Sequence, residues 1–324
     1  MGTAPNPQGV PVIPRINVLT PKPPTAQPRE HHSIACTEVW GGGAAFRGSV
    51  VVPGYNVQVA CTPHVGDAIG GDIYYVSSCA SGLITRFVLA DVAGHGEKVA
   101  AIAAKLRDLM RRHINTADQT GFARALNAAF TGLDLDGRFA TALLVTYLST
   151  TDHLIVCNAG HPPPLLYRAA VDAWYQLSAS TPGVRAARGD THGVGIRNLP
   201  LGILDPTDYE QVALRLDAGN RLLMYTDALI EAKAPDGRQI GPQGLLEIAR
   251  TLDPADADLA HALQRRVGEV AMSSALDDDS TVIGLLHTAS NPPRMTIRDL
   301  PHRVTGWLGL SGLDTAPGET SESP

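Results

Sequence analysis

Between Phe139 and Leu177 four short apolar runs follow one another with only turn signals between them. They are Phe139 to Leu148, His153 to Asn158, Leu165 to Arg168 and Ala173 to Leu177, separated by Asp152, Gly160-His161-Pro162 and similar breaks. Strands joined by short turns pair antiparallel, because a parallel pair needs a crossover of roughly a dozen residues or more. Helical periodicity comes in pairs instead of alternating with the strands. Glu97 to Ile114 carries apolar residues at Val99, Ile102, Ala103, Leu106, Leu109 and Met110, and Phe122, Leu126, Phe130 and Leu133 mark a second amphipathic helix. Two more helices are expected near Pro242 to Thr251 and Asp256 to Met272. Grouped strands with paired helices favour an α+β domain of two packed antiparallel sheets flanked by helices over a βαβ parallel sheet.

The remaining strands are expected at Leu83 to Asp91 and Ser280 to Leu286, with one or two more from Ile34 to His64. Val212 to Leu216 and Arg221 to Tyr225 flank Asp217-Ala218-Gly219-Asn220 and read as a hairpin. The insert from Ala179 to Val194 reads as a long loop. Outside this domain the composition changes. Residues 1–30 hold eight of the 24 prolines and read as a flexible leader. The folded domain is expected over 31–289. An extension over 290–324 opens on Asn291-Pro292-Pro293, with a short helix expected at Val304 to Leu310 before a small, polar tail.

Composition excludes several classes. Asp plus Glu total 32 against 26 Lys plus Arg, a formal charge of -6. A mildly acidic chain lacks the basic footprint of a protein that binds nucleic acid or an anionic membrane. No apolar run approaches the ~18–20 residues that span a bilayer, and the first 20 residues hold no apolar signal core. Cys36, Cys61, Cys79 and Cys157 are unevenly spaced with no C-x-x-C pair, which argues against a disulfide framework or a zinc knuckle. The default compartment is a reducing cytoplasm.

The chemistry lies in where the acids fall. Four segments set an Asp at the edge of an apolar run beside small residues: Gly70-Gly71-Asp72, Asp91-Val92-Ala93-Gly94-His95-Gly96, Tyr225-Thr226-Asp227-Ala228 and Asp277-Asp278-Asp279-Ser280-Thr281. Glycines there let backbone approach a bound ion closely. If the acids converge they need a cation, because two carboxylates about 4 Å apart repel by about 4 kcal/mol at an effective dielectric near 20. An oxygen-only donor set suits Mg²⁺ or Mn²⁺, not zinc. Two such ions about 3.5–4 Å apart can activate a water for attack on phosphorus, so that no protein nucleophile is needed. The chain contains neither a G-x-S-x-G elbow nor a C-x5-R loop.

These segments, with Phe139-Ala140-Thr141-Ala142, Asn158-Ala159-Gly160-His161-Pro162-Pro163 and Leu199-Pro200-Leu201-Gly202, resemble in order the PPM (PP2C-like) serine/threonine phosphatase superfamily, in its bacterial SpoIIE/RsbU branch. The resemblance runs from about Gly70 to Leu286. It implies a four-layer α-β-β-α sandwich, a pair of Mn²⁺ or Mg²⁺ ions at one end of the sheets, and hydrolysis of phosphoserine or phosphothreonine on a protein. It further implies that Asp91 bridges the metals, that the Val92 backbone carbonyl binds one, and that Asp72, Asp227 and Asp278 complete the cluster. Asp277 is the rival register for Asp278. His95 is implied to lie near the cluster without being a principal ligand, and either to sit beside the ligands or to relay a proton. His161, Asn158 and Gly160 read as turn architecture. The usual substrate in this branch is a phosphorylated regulatory protein such as an anti-sigma-factor antagonist.

Two positions depart from the family pattern: Tyr75 stands where a further acid is usual, and Ala228 where Gly is usual. They leave open a second class, a pseudophosphatase that binds a phosphorylated partner without turnover. A third, a metallohydrolase of small phosphate esters, lacks any G-x-x-x-x-G-K-[ST] loop. Arg47, Arg86 and Arg138 are the candidates to grip a phosphate.

Overall fold

The computed structural model describes residues 37–289 apart from 65–69, 80–81, 117, 188, 190–192, 194, 273–275 and 277. Three strands open the domain: β1 (Thr37–Gly41), β2 (Phe46–Val52) and β3 (Tyr55–Thr62). Then come β4 (Asp72–Cys79), β5 (Ile84–Val92), α1 (Glu97–His113), α2 (Gln119–Thr131), β6 (Ala140–Leu148), β7 (His153–Ala159), β8 (Leu165–Arg168) and β9 (Ala173–Gln176). The chain continues through β10 (Val184–Ala187), β11 (Gln211–Arg215), β12 (Arg221–Tyr225), α3 (Ala228–Glu231), α4 (Gly241–Arg250), α5 (Leu259–Ala271) and β13 (Ser280–His287). Two antiparallel sheets result. One has the order β1-β4-β5-β6-β7-β11-β10 and the other β2-β3-β13-β12-β8-β9.

Side-chain alternation along each strand builds the layers. On β5, Phe87 and Leu89 point between the sheets, where they meet Tyr74, Val76, Met224 and Ile283. Val88, Ala90 and Val92 point the other way, under the apolar stripe of α1 and α2. A third core lies between the second sheet and α4 and α5, around Leu223, Tyr225, Leu245 and Leu263. Burial on both faces explains why β5 and β6 read as nearly unbroken apolar runs, whereas the edge strand β2 alternates with exposed positions. The six-residue stripe expected on α1 is wholly buried, at roughly 1.5–3 kcal/mol for each large side chain. The result is the expected four-layer α-β-β-α sandwich. Among the described residues no helix is long and apolar enough to cross a membrane.

Three local expectations need correction. The residues Asp217-Ala218-Gly219-Asn220 do form a turn, with the Asn220 N–H donating to the Asp217 carbonyl at 3.0 Å, but no hairpin. β11 pairs with β7 in one sheet, and β12 pairs with β13 and β8 in the other, so the turn carries the chain between layers. Gly219 donates to the His287 carbonyl at 2.9 Å, which fastens that crossing. The segment 37–64 supplies three strands, because Gly54 at φ +78° allows a tight return between β2 and β3. The insert expected as a loop includes β10, held on the sheet edge by β11. The short helix expected at 304–310 and the proline-rich leader fall outside the described residues.

Candidate metal centre

Asp72 begins β4 and Asp91 stands one residue from the end of β5, and the two are directly paired across the ladder. Both share the strand face of Tyr74, Val76, Phe87 and Leu89, so their carboxylates cap one end of the core between the sheets. Asp227 follows β12, which lies in the opposite sheet, and Asp278 precedes β13 beside it. The fold therefore gathers four acids from two sheets at one pole of the sandwich. Asp72 is 1% exposed, and Asp91, Asp227 and Asp278 are half-buried.

Burial and mutual repulsion push all four carboxyls up. Desolvation holds Asp72 well above the usual carboxylate range, with Asp279 and Asp227 adding to it, while the Thr281 and Thr226 hydroxyls oppose the shift. Asp91 is raised well above that range by burial, then by Asp72, Asp227, Asp278 and Asp279. Asp227 is raised by burial, Glu231 and Asp278, offset by a hydrogen bond with Asp91. Burial raises Asp278, while the Asp279 N–H and the nearby His95 and His64 pull it down.

The donor set fits hard divalent cations on two observations. Asp72 Oδ2 accepts from the Thr226 hydroxyl at 3.1 Å, but Oδ1 is buried with no hydrogen-bond partner, a costly state that a cation relieves. Next to it, Gly71 lies against the Val92 carbonyl: a Cβ there would come within 2.8 Å of that oxygen and of Val99 Cγ1. Any side chain at position 71 would crowd this carbonyl. Among the described residues no three His, Cys, Asp or Glu side chains already form a cage for one ion.

His95 is exposed at the rim of the acids, its ring 5.4 Å from that of His64. His161 is buried beneath them. Its Nδ1 lies 2.7 Å from Thr141 Oγ1, and Thr141 is the β6 partner of Asp91. Asn158 clamps the turn, accepting from the His161 N–H at 2.7 Å and donating to its carbonyl at 2.8 Å. Burial drives the His161 imidazole down to about 3, so it is neutral and structural. Gly160, at φ +67°, lets the turn pass Pro200, where a Cβ would clash.

Tyr75 faces away from the acids. It shares the helix-side face of β4 with Ile73 and is 2% exposed, so an acid there would not join Asp72 on its face. Ala228 is buried at the start of α3, directly after Asp227. Of the three arginines, Arg86 is 5% exposed, donates to the Thr116 carbonyl and stacks on Phe122, under the helices. Arg47 pairs with Asp258 on the outside of the second sheet. Arg138 lies beside the acidic loop, with Nε 3.8 Å from where a Gly94 Cβ would stand, and pairs with Asp136 at 3.1 Å.

The residues that sequence reasoning passed over are Thr226, Thr281 and Asp279. Thr226 donates to Asp72 and accepts from the Thr281 N–H at 2.9 Å, tying β12 to β13 under the cluster. The signal was present as the small hydroxyl residues inside Y-T-D and D-D-S-T. Asp277 lies outside the described residues.

Comparison with known proteins agrees with this fold. Phosphoserine phosphatase RsbP of Bacillus subtilis (strain 168) is 25% identical over 188 residues, covering 53% of this chain and 42% of RsbP. The chain thus spans less than half the length of that relative. Among solved structures, the RsbU and RsbW domains of Rv1364c from Mycobacterium tuberculosis superpose with a TM-score of 0.60 at 24% identity, over 77% of this chain and 64% of that one. The PP2C phosphatase domain of SpoIIE from Bacillus subtilis, with a fragment of its regulatory domain, gives a TM-score of 0.56 at 19% identity, over 71% and 62%. Both share the fold. Residues 84–287, well over half of the chain, match the family model described as Stage II sporulation protein E (SpoIIE). With its acids gathered at one pole of a sandwich that shares the PP2C fold, the chain belongs to the SpoIIE family.

Proposed function

We propose that the chain is a metal-dependent serine/threonine phosphatase acting on a phosphorylated regulatory protein, of the kind represented by an anti-sigma-factor antagonist. The observation that carries this reading is the opposed pair Asp72 and Asp91, grouped with Asp227 and Asp278 and with one buried Asp72 oxygen unpartnered. Those four acids and the Val92 backbone carbonyl would hold two divalent cations, Mn²⁺ or Mg²⁺. When bound, such ions supply Lewis acidity that lowers the pKa of water and polarises a phosphoryl group. The chain's own residues do the rest. Thr226 orients Asp72, and the Gly70-Gly71 turn keeps bulk away from the Val92 carbonyl. His95, exposed at the rim near Asp278, would give a proton to the seryl or threonyl oxygen as it departs.

The similarity to a phosphoserine phosphatase supports the substrate chemistry. The test is phosphate release from a phosphoserine peptide with and without Mn²⁺. Turnover is expected only with the ion and is abolished in Asp91→Ala and Asp227→Ala. Turnover retained in either variant sinks the mechanism. Release from nucleotides but not from the peptide would point to a small-ester hydrolase instead.

A further inference from the structure

A fifth acid, Asp279, lies among the four, is 4% exposed, and has both oxygens engaged. Oδ1 accepts from the His64 N–H at 2.7 Å and Oδ2 from the Gly71 N–H at 2.5 Å. These partners are 215 and 208 residues away in sequence, so the contacts tie the entry to β13 to the exit of β3 and the turn into β4. Gly70 makes the seat, since a Cβ there would overlap the Asp279 carboxyl. The Asp279 N–H in turn donates to Asp278 Oδ1 at 2.8 Å. One residue therefore fixes the backbone just before Asp72 and turns the carboxylate of Asp278.

A carboxylate that already accepts two amide hydrogens has its charge met by protein dipoles and is a poor candidate for ligating a cation. We propose that Asp279 is a positioning residue, which locks the Gly70-Gly71 turn leading into Asp72 and holds the Asp278 carboxylate through its own N–H. The role rests on the cation-site reading above. Supporting partners of this kind typically change metal affinity by about 10–100-fold when removed.

The test compares Asp279→Ala, Asp279→Asn and Asp278→Asn with the unaltered chain. Calorimetric titration with Mn²⁺ should show affinity weakened about 10–100-fold in Asp279→Ala. Asp279→Asn, which keeps one amide acceptor, should lose less. At saturating Mn²⁺, turnover of the phosphopeptide should return to within about threefold of the unaltered chain in both, because the ligands remain. Asp278→Asn should stay impaired at any Mn²⁺ concentration. Hydrogen exchange at the Gly71 amide of the metal-free chain should accelerate in Asp279→Ala. If that variant does not fold, Asp279→Asn carries the comparison. Unchanged Mn²⁺ affinity in Asp279→Ala overturns the role. So does an Asn variant as poor as Ala with turnover lost at saturation, which would make Asp279 a ligand. An unaltered chain that takes up no Mn²⁺ removes the phosphatase reading itself, and this role with it.

Discussion

Asp72 and Asp91 stand directly opposite each other on neighbouring antiparallel strands, on the face that points between the sheets. Like charges in that position destabilise a sheet, by up to about 1 kcal/mol even where water can screen them. Burial first, and neighbouring acids after it, raise their carboxyls and those of Asp227 and Asp278 above the ordinary value of 3.8 in the metal-free chain. Between that value and the raised ones the folded state holds more protons than the unfolded chain, so stability falls as pH rises through the window. Thermal unfolding in chelator, from about pH 5 to about pH 7.5, should therefore show a steeper fall for the unaltered chain than for Asp72→Asn. Added Mn²⁺ should raise the unfolding temperature of the unaltered chain only, because it binds the folded state. Equal slopes would mean that the opposed pair stores no repulsion.

Gly71→Ala tests the space beside the Val92 carbonyl. The added Cβ would stand 2.8 Å from that oxygen and from Val99 Cγ1. Overpacking of this kind costs roughly 1–3 kcal/mol. Urea unfolding should register that loss, and Mn²⁺ affinity should drop with it. A variant with normal stability and normal affinity would show that the cradle is unimportant.

His161 contributes in the opposite sense to the acids. Burial lowers its imidazole from 6.5 to about 3, so the unfolded chain takes up a proton that the folded chain refuses. Its contribution is complete above about pH 6.5 and is lost as pH falls towards about 3. The ring resonances should stay at their neutral positions from about pH 8 down to about pH 5. Titration with an ordinary midpoint would contradict the buried bridge to Thr141.

Arg86 separates a structural cation from a substrate-binding one. It is buried against Phe122 and the Thr116 carbonyl, five residues along β5 from Asp91. Arg86→Ala should lower stability by about 2–4 kcal/mol through a lost hydrogen bond and a cavity. The KM for phosphopeptide should not move. A raised KM with unchanged stability would place the guanidinium in the binding site instead.

Much of the layering was legible because burial on both faces leaves a nearly continuous apolar run, as on β5, and a helix on a sheet leaves a buried stripe, as on α1. Strand pairing was less so. Asp217 to Asn220 has real turn chemistry, yet which strands flank a turn depends on partners such as β7 and β13 that lie far away in sequence. The same limit applies at the candidate site. The positions of Asp72, Asp91, Asp227 and Asp278 beside small residues were visible, and the fold brings them together. The tie from Asp279 to Gly71 spans 208 residues and leaves no local trace except the glycine. Tyr75 illustrates the converse: its departure from the family pattern looked damaging until the alternation of β4 turned it towards the helices.

The most direct measurement is a calorimetric titration of the metal-free chain and of Asp91→Asn with Mn²⁺, followed by phosphopeptide hydrolysis on the same samples. The expected result is uptake of about two ions by the unaltered chain, hydrolysis that appears with that uptake, and loss of both in Asp91→Asn. Hydrolysis in the presence of chelator, or Asp91→Asn binding and turning over like the unaltered chain, would contradict the account.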